Sequence, residues 1–171
     1  METESLQSKT VNALSALVIT PEQLLQHWQG HRRLTRKVIE AFPEDEFYNY
    51  SIGGMRPFAE LAMEMISMTD PGITGIVTRE WPAADETFSR RAPSTKKEFL
   101  QRWDEVTEKL NTLWPQIPPH RFQEIDAAFG QYEGTCFFII FYWIDNEVHH
   151  RGQGYVYLRS LGIAPPAFWD R

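Results

Sequence analysis

Four stretches of the chain repeat their large apolar residues at intervals of three and four, the mark of a helix that buries one face. In the first, Leu24, Trp28, His31, Thr35, Val38 and Phe42 share a face. Thr20-Pro21-Glu22-Gln23 supplies its start: a Thr cap, Pro at the first helical position and Gln three residues after the cap. Pro43 stops it, and residues 43–56, with Pro, Asp, Asn and the Gly53-Gly54 pair, read as a loop. Pro57 opens the second stretch, Phe-Ala-Glu-Leu-Ala-Met-Glu-Met-Ile-Ser-Met. Asp70-Pro71-Gly72 is expected to end or break it, with a short helix continuing from about 71 to 80. Residues 81–94 read as a long loop. Thr95-Lys96-Lys97-Glu98 is a capping box for the third helix, which carries Phe99, Trp103, Val106 and Leu110 on to about Trp114. The last helix is expected from about Glu133 to Leu161, with Gly162 as its stop. No period-2 alternation stands out, apart from the ambiguous run 136–144.

This order predicts an all-α four-helix bundle in a single domain over residues 1–171, with a long crossover loop between the second and third helices. Residues 1 to about 19 form a lead-in, and Phe168 and Trp169 of the tail are expected to dock their rings on the bundle.

A net charge of -6 argues against nucleic acid as a partner. The one basic run, Arg32-Arg33 with Arg36-Lys37, is read as helix flanks solvated by water. The single cysteine, Cys136, lies in an apolar run and reads as a buried structural thiol in a reducing compartment. The N-terminus shows no secretory pattern, and the longest apolar run, Cys136 to Ile144, is far short of a bilayer span. These features give a cytoplasmic expectation with no membrane partner.

The unusual residues sit on the last helix. On a wheel, Ile139, Tyr142, Trp143, Asn146, His150, Gln153 and Tyr157 cluster on the core side. Polar groups there need partners, because each unpaired one costs on the order of 1 to 3 kcal/mol. They form either a hydrogen-bond ladder that sets helix register or a polar pocket inside the bundle. Glu64, amid Leu and Met, needs a partner or a cation unless it and Glu60 lie solvated at the stripe's edge. His31 is centred on an apolar face, with His27 at metal-compatible spacing but off the centre line. Asp145 and His149 lie on a neighbouring flank, where they form a surface pair or an alternative ligand set.

The run Asn146-Glu147-Val148-His149-His150-Arg151-Gly152-Gln153, followed by Tyr155-Val156-Tyr157 and Leu161-Gly162, resembles the C-terminal signature of the DinB superfamily. The run Gly54 to Glu64 resembles the start of that family's second helix. The resemblance covers nearly the whole chain and implies a bundle with one divalent metal, usually held by three His. By position those ligands fall on Glu64, Asn146 and His150, and His150 alone matches in type. A carboxylate still suits Zn, Ni, Mn or Fe, whereas a neutral amide retunes the site toward harder cations or loses the metal. The resemblance implies a metal-dependent hydrolase or thiol-dependent transferase acting on a small molecule, with His31 or Tyr157 moving a proton as the catalytic candidates. The rival reading is a non-enzymatic small-ligand-binding or stress-related protein with a degraded metal site. Homodimerisation is a further expectation from the resemblance.

Overall fold

The computed structural model describes residues 18–89 and 91–171; most of the expected N-terminal lead-in lies outside them. Four long helices make the bundle: α1 (Pro21–Ala41), α3 (Phe58–Thr78), α5 (Lys96–Leu113) and α6 (Cys136–Ser160). Two short helices, α2 (Glu44–Asn49) and α4 (Ala84–Phe88), occupy stretches that the sequence reads as loop. Both predicted capping boxes form. Thr20 accepts from the Gln23 amide while the Gln23 side chain accepts from the Thr20 amide, and Thr95 and Glu98 do the same for α5.

α1 and α3 each pack against both α5 and α6, so the first two stand at opposite corners. Two apolar clusters fill the interior. One joins Leu24 and Trp28 of α1 with Ile73 and Ile76 of α3, Leu110 of α5 and Ile140 and Trp143 of α6. The other joins Val38 and Phe42 with Phe58 and Ile66, Phe99 and Trp103, and Leu158. The N-terminal half of α6 therefore meets the N-terminal half of α1 and the C-terminal halves of α3 and α5. α1 and α6 run one way, α3 and α5 the other. Because α3 and α5 are parallel, the chain between them must return along the bundle, which is why that connection is long.

Five expectations need correction. α3 runs unbroken through Pro71. A two-stranded antiparallel hairpin, β1 (Ile125–Ala128) with β2 (Tyr132–Thr135), precedes α6, with Ala128 opposite Tyr132. Arg32 is fully buried rather than solvated. Tyr142 is 55% exposed rather than core-facing. The tail also docks by a different route: Phe168 and Trp169 are exposed, while Lys37 Nζ donates to the Asp170 carboxylate at 2.7 Å and carbonyl at 3.0 Å. Charged groups, not rings, hold it to α1. Among the described residues no helix is long and apolar enough to cross a membrane.

Candidate functional site

Glu64, in the N-terminal third of α3, points toward α6 and is met there by two side chains one helical turn apart. His150 Nε2 lies 2.9 Å from Glu64 Oε1, and Asn146 Nδ2 donates to the same oxygen at 3.0 Å. The i, i+4 spacing of Asn146 and His150 puts both on the α3-facing side of α6. Arg56, in the loop before α3, donates from Nη2 to the other oxygen, Oε2, at 2.5 Å. His150 Nδ1 donates to the Gln153 side-chain carbonyl at 2.7 Å, since an amide oxygen can only accept. His150 is nearly buried and Glu64 partly so. The bond from His150 is the main reason the Glu64 carboxyl falls from its ordinary 4.5 to about 2; burial opposes it, and Arg56 and Asn146 add to it.

Tyr157 supports this cluster from beneath. Its hydroxyl donates to the Arg56 backbone carbonyl at 2.8 Å, and burial pushes its phenol pKa up. That bond ties α6 to the loop that carries Arg56. His31 is placed elsewhere. It accepts at Nδ1 from Arg151 Nη2 at 2.9 Å, which leaves its proton on Nε2, facing His27 Nε2 at 3.1 Å. Burial first, then Arg151 and Arg171, depress its pKa from 6.5 to about 3. Asp145 and His149, the alternative ligand pair, are both exposed and stand outside the cluster.

A second polar group, not singled out from the sequence, lies on the α1-facing side of α6. Glu147, 1% exposed, accepts from Trp28 Nε1 at 3.2 Å and from Thr35 Oγ1 at 2.6 Å. Arg32 and Arg151 each approach it to 3.8 Å. Arg32 lies over the Trp103 ring, 3.5 Å from its centre, and donates to the Trp103 carbonyl at 3.1 Å. Cys136 is fully buried at the start of α6, and burial raises its pKa, which disfavours the thiolate.

Above Glu64 opens a groove of about 710 Å³, floored by α3 (Ala59, Met63, Met68) and lined by Tyr48, Phe88, Tyr132 and Tyr142, with Arg56 and Arg91 also in its lining. A metal at its base would have Glu64, Asn146 and His150 as protein ligands. Both oxygens of Glu64 are already engaged by protein donors, one of them a guanidinium that supplies the positive charge a metal would bring. Among the described residues no three His, Cys, Asp or Glu side chains converge. The set does not fit a three-imidazole centre. One atom points the other way: Asn146 Oδ1 is buried with no hydrogen-bond partner.

The polar cluster between α3 and α6 and the groove above it sit in an all-helical frame. The DinB family model matches residues 8–170, and the chain belongs to that family. An uncharacterized protein of Bacillus subtilis, YjoA, is 25% identical over 152 residues, covering 87% of this chain and 96% of YjoA. Two solved structures share the fold. The DinB-like YjoA of B. subtilis aligns with a TM-score of 0.68 at 19% identity, over 87% of this chain and 99% of that one. A DinB-like protein of Bacillus cereus aligns with a TM-score of 0.65 at 19% identity, over 85% and 95%.

Proposed function

We propose that this chain is a small-molecule-binding member of the DinB family that works without a resident transition metal. The Glu64–His150 pair, oriented by Arg56, Asn146 and Gln153, takes the metal's place at the base of the groove. The observation that carries this reading is the complete engagement of the Glu64 carboxylate, with Arg56 providing the balancing charge. The pair offers a bound molecule a carboxylate–imidazole dyad able to share a proton, while among the described residues no thiol stands beside it.

The test is metal titration of untagged protein by calorimetry, with elemental analysis of the protein as purified. Wild type is expected to bind neither Zn nor Ni with stoichiometry one, and the E64H/N146H double variant, which rebuilds three imidazoles, is expected to bind one ion. Stoichiometric Zn or Ni in the wild type would overturn the proposal. A second reading, a hard divalent cation on Glu64, Asn146 and His150, is favoured by the partnerless Asn146 Oδ1. Saturable Mn binding that Asn146→Ala abolishes would establish it over the first.

A further inference from the structure

The groove does not stop at Glu64. Past Met68 and Tyr142 it opens into a second hollow of about 440 Å³, walled by Phe88, Phe129, Phe138 and Trp143. Met68, Phe88, Tyr132 and Tyr142 line both spaces, so the two form one channel. Its size suits an organic molecule of several rings or a medium alkyl chain.

The two ends of the channel differ in chemistry. The far end is a wall of rings on which Glu133 is the one charged lining residue among those described. Phe138, Tyr142 and Tyr132 are each more than half exposed there, an amount of open aromatic surface that marks a place where something apolar sits. At the near end, the Glu64 charge is satisfied by Arg56, His150 and Asn146. What remains free is a cation and a donor. Arg91 lines the groove and makes no ion pair among the described residues, and the Tyr48 hydroxyl is buried without a partner. Glu60 also lines this end but stands exposed, where water screens it. A guanidinium and a phenol hydroxyl on the lining of one groove are both donors, and a carboxylate accepts from either.

We infer that the channel binds an amphipathic carboxylate, its ring or alkyl body among Phe88, Phe129, Phe138 and Trp143 and its anionic head at Arg91 and Tyr48. This rests on the reading of the groove over Glu64 as a small-molecule site and adds the class of ligand. Trp143 lies in the wall, so its fluorescence reports occupancy.

The experiment compares three probes of equal length, 4-phenylbutyrate, 4-phenylbutanol and 4-phenylbutylamine, by tryptophan fluorescence and calorimetry on the full chain. The acid is expected to bind about tenfold more tightly than the alcohol, and the amine more weakly than either. Arg91→Ala, at an exposed site, should remove the acid's advantage and leave the alcohol unchanged; Phe88→Ala should weaken both. An amine that binds as tightly as the acid, or an acid whose affinity Arg91→Ala does not alter, overturns the inference while leaving the groove as a site for other molecules. Failure of all three probes to saturate at millimolar concentration overturns both the inference and the groove reading. Stoichiometric Zn or Ni in the wild type, with the acid still preferred through Arg91, would remove the metal-free reading alone.

Discussion

Glu147 places a carboxylate between two buried guanidinium groups, Arg32 and Arg151, and also accepts from Trp28 and Thr35. Glu147→Gln keeps the volume but only one of the two acceptor oxygens, since its NH2 cannot accept from Trp28 or Thr35, and it takes the nearest counter-charge from two buried cations. It is expected to lower stability by about 3 kcal/mol, read as a lower urea midpoint at unchanged m-value. A loss below about 1 kcal/mol would show that the guanidiniums are balanced by their carbonyl and π contacts alone. The two polar clusters were unequally legible. Asn146 and His150 fall on the wheel's core side and match the family's spacing, so both routes led to them. Glu147 and Arg151 escaped because α6 is covered on two sides, by α1 and by α3, and a wheel centred on Ile139 and Trp143 treats the α1 side as an edge. The signal was present as a second stripe at helical spacing, Ile140, Ile144, Glu147, Arg151, Gly154 and Leu158, all buried. Arg56 had no periodicity to reveal it, because it reaches Glu64 from a loop.

At the level of whole elements, α6 and α3 pack closely because glycines admit rings between them. A Cβ on Gly154 would stand 2.5 Å from Phe58 Cε2, and Phe58 cannot retreat because it stacks on Phe42 at 4.8 Å. Gly152, two residues away on the same helix, has nothing within 4 Å. Gly154→Ala is therefore expected to lower stability by about 1–3 kcal/mol through overpacking. Gly152→Ala should raise it by about 0.5–1 kcal/mol, since alanine suits a helix interior better. Opposite shifts in thermal midpoint check the pair; shifts of the same sign would mean that helix propensity or packing alone governs both sites. Glycine also explains the helix that the sequence reads as broken. Pro71 has no amide proton to continue the ladder, yet the turn before it is held from α5, where Lys109 Nζ donates to the Asp70 carbonyl and carboxylate, each at 2.8 Å. Gly72 and Gly75 then make room for the Trp143 and Trp81 indoles, so tertiary packing overrides the local break. The hairpin escaped notice for the opposite reason. Its strands have four residues each, too short to show alternation, and its turn, with Phe129 and Gly130 both at positive φ, holds no Asn-Gly or Asp-Gly signal.

Across the whole molecule the two apolar clusters are separated by a polar belt, with the Glu147 group on the α1 side of α6 and the Glu64 group on the α3 side. Two members of that belt make stability depend on pH. His31 is neutral when folded down to about pH 3, whereas the unfolded chain takes up that proton near 6.5. Glu64 stays ionised when folded down to about pH 2, whereas the unfolded chain protonates it near 4.5. Both folded values are depressed, so in both windows the unfolded state binds more protons, and stability falls as pH falls. Each contribution is complete above the unfolded value and is lost on the way down to the folded one. The first loss begins below about pH 6.5 through His31, and the second joins it below about 4.5 through Glu64. Urea midpoints measured from pH 8 to pH 3 should therefore decline gently at first and more steeply below 4.5. His31→Gln should flatten the upper part of the curve and leave the lower slope, while Glu64→Gln should reduce the lower slope and leave the upper. An unchanged slope between pH 6.5 and 4.5 in His31→Gln would show that a different group takes up the proton there and that burial, with Arg151 beside it, does not hold the His31 imidazole neutral.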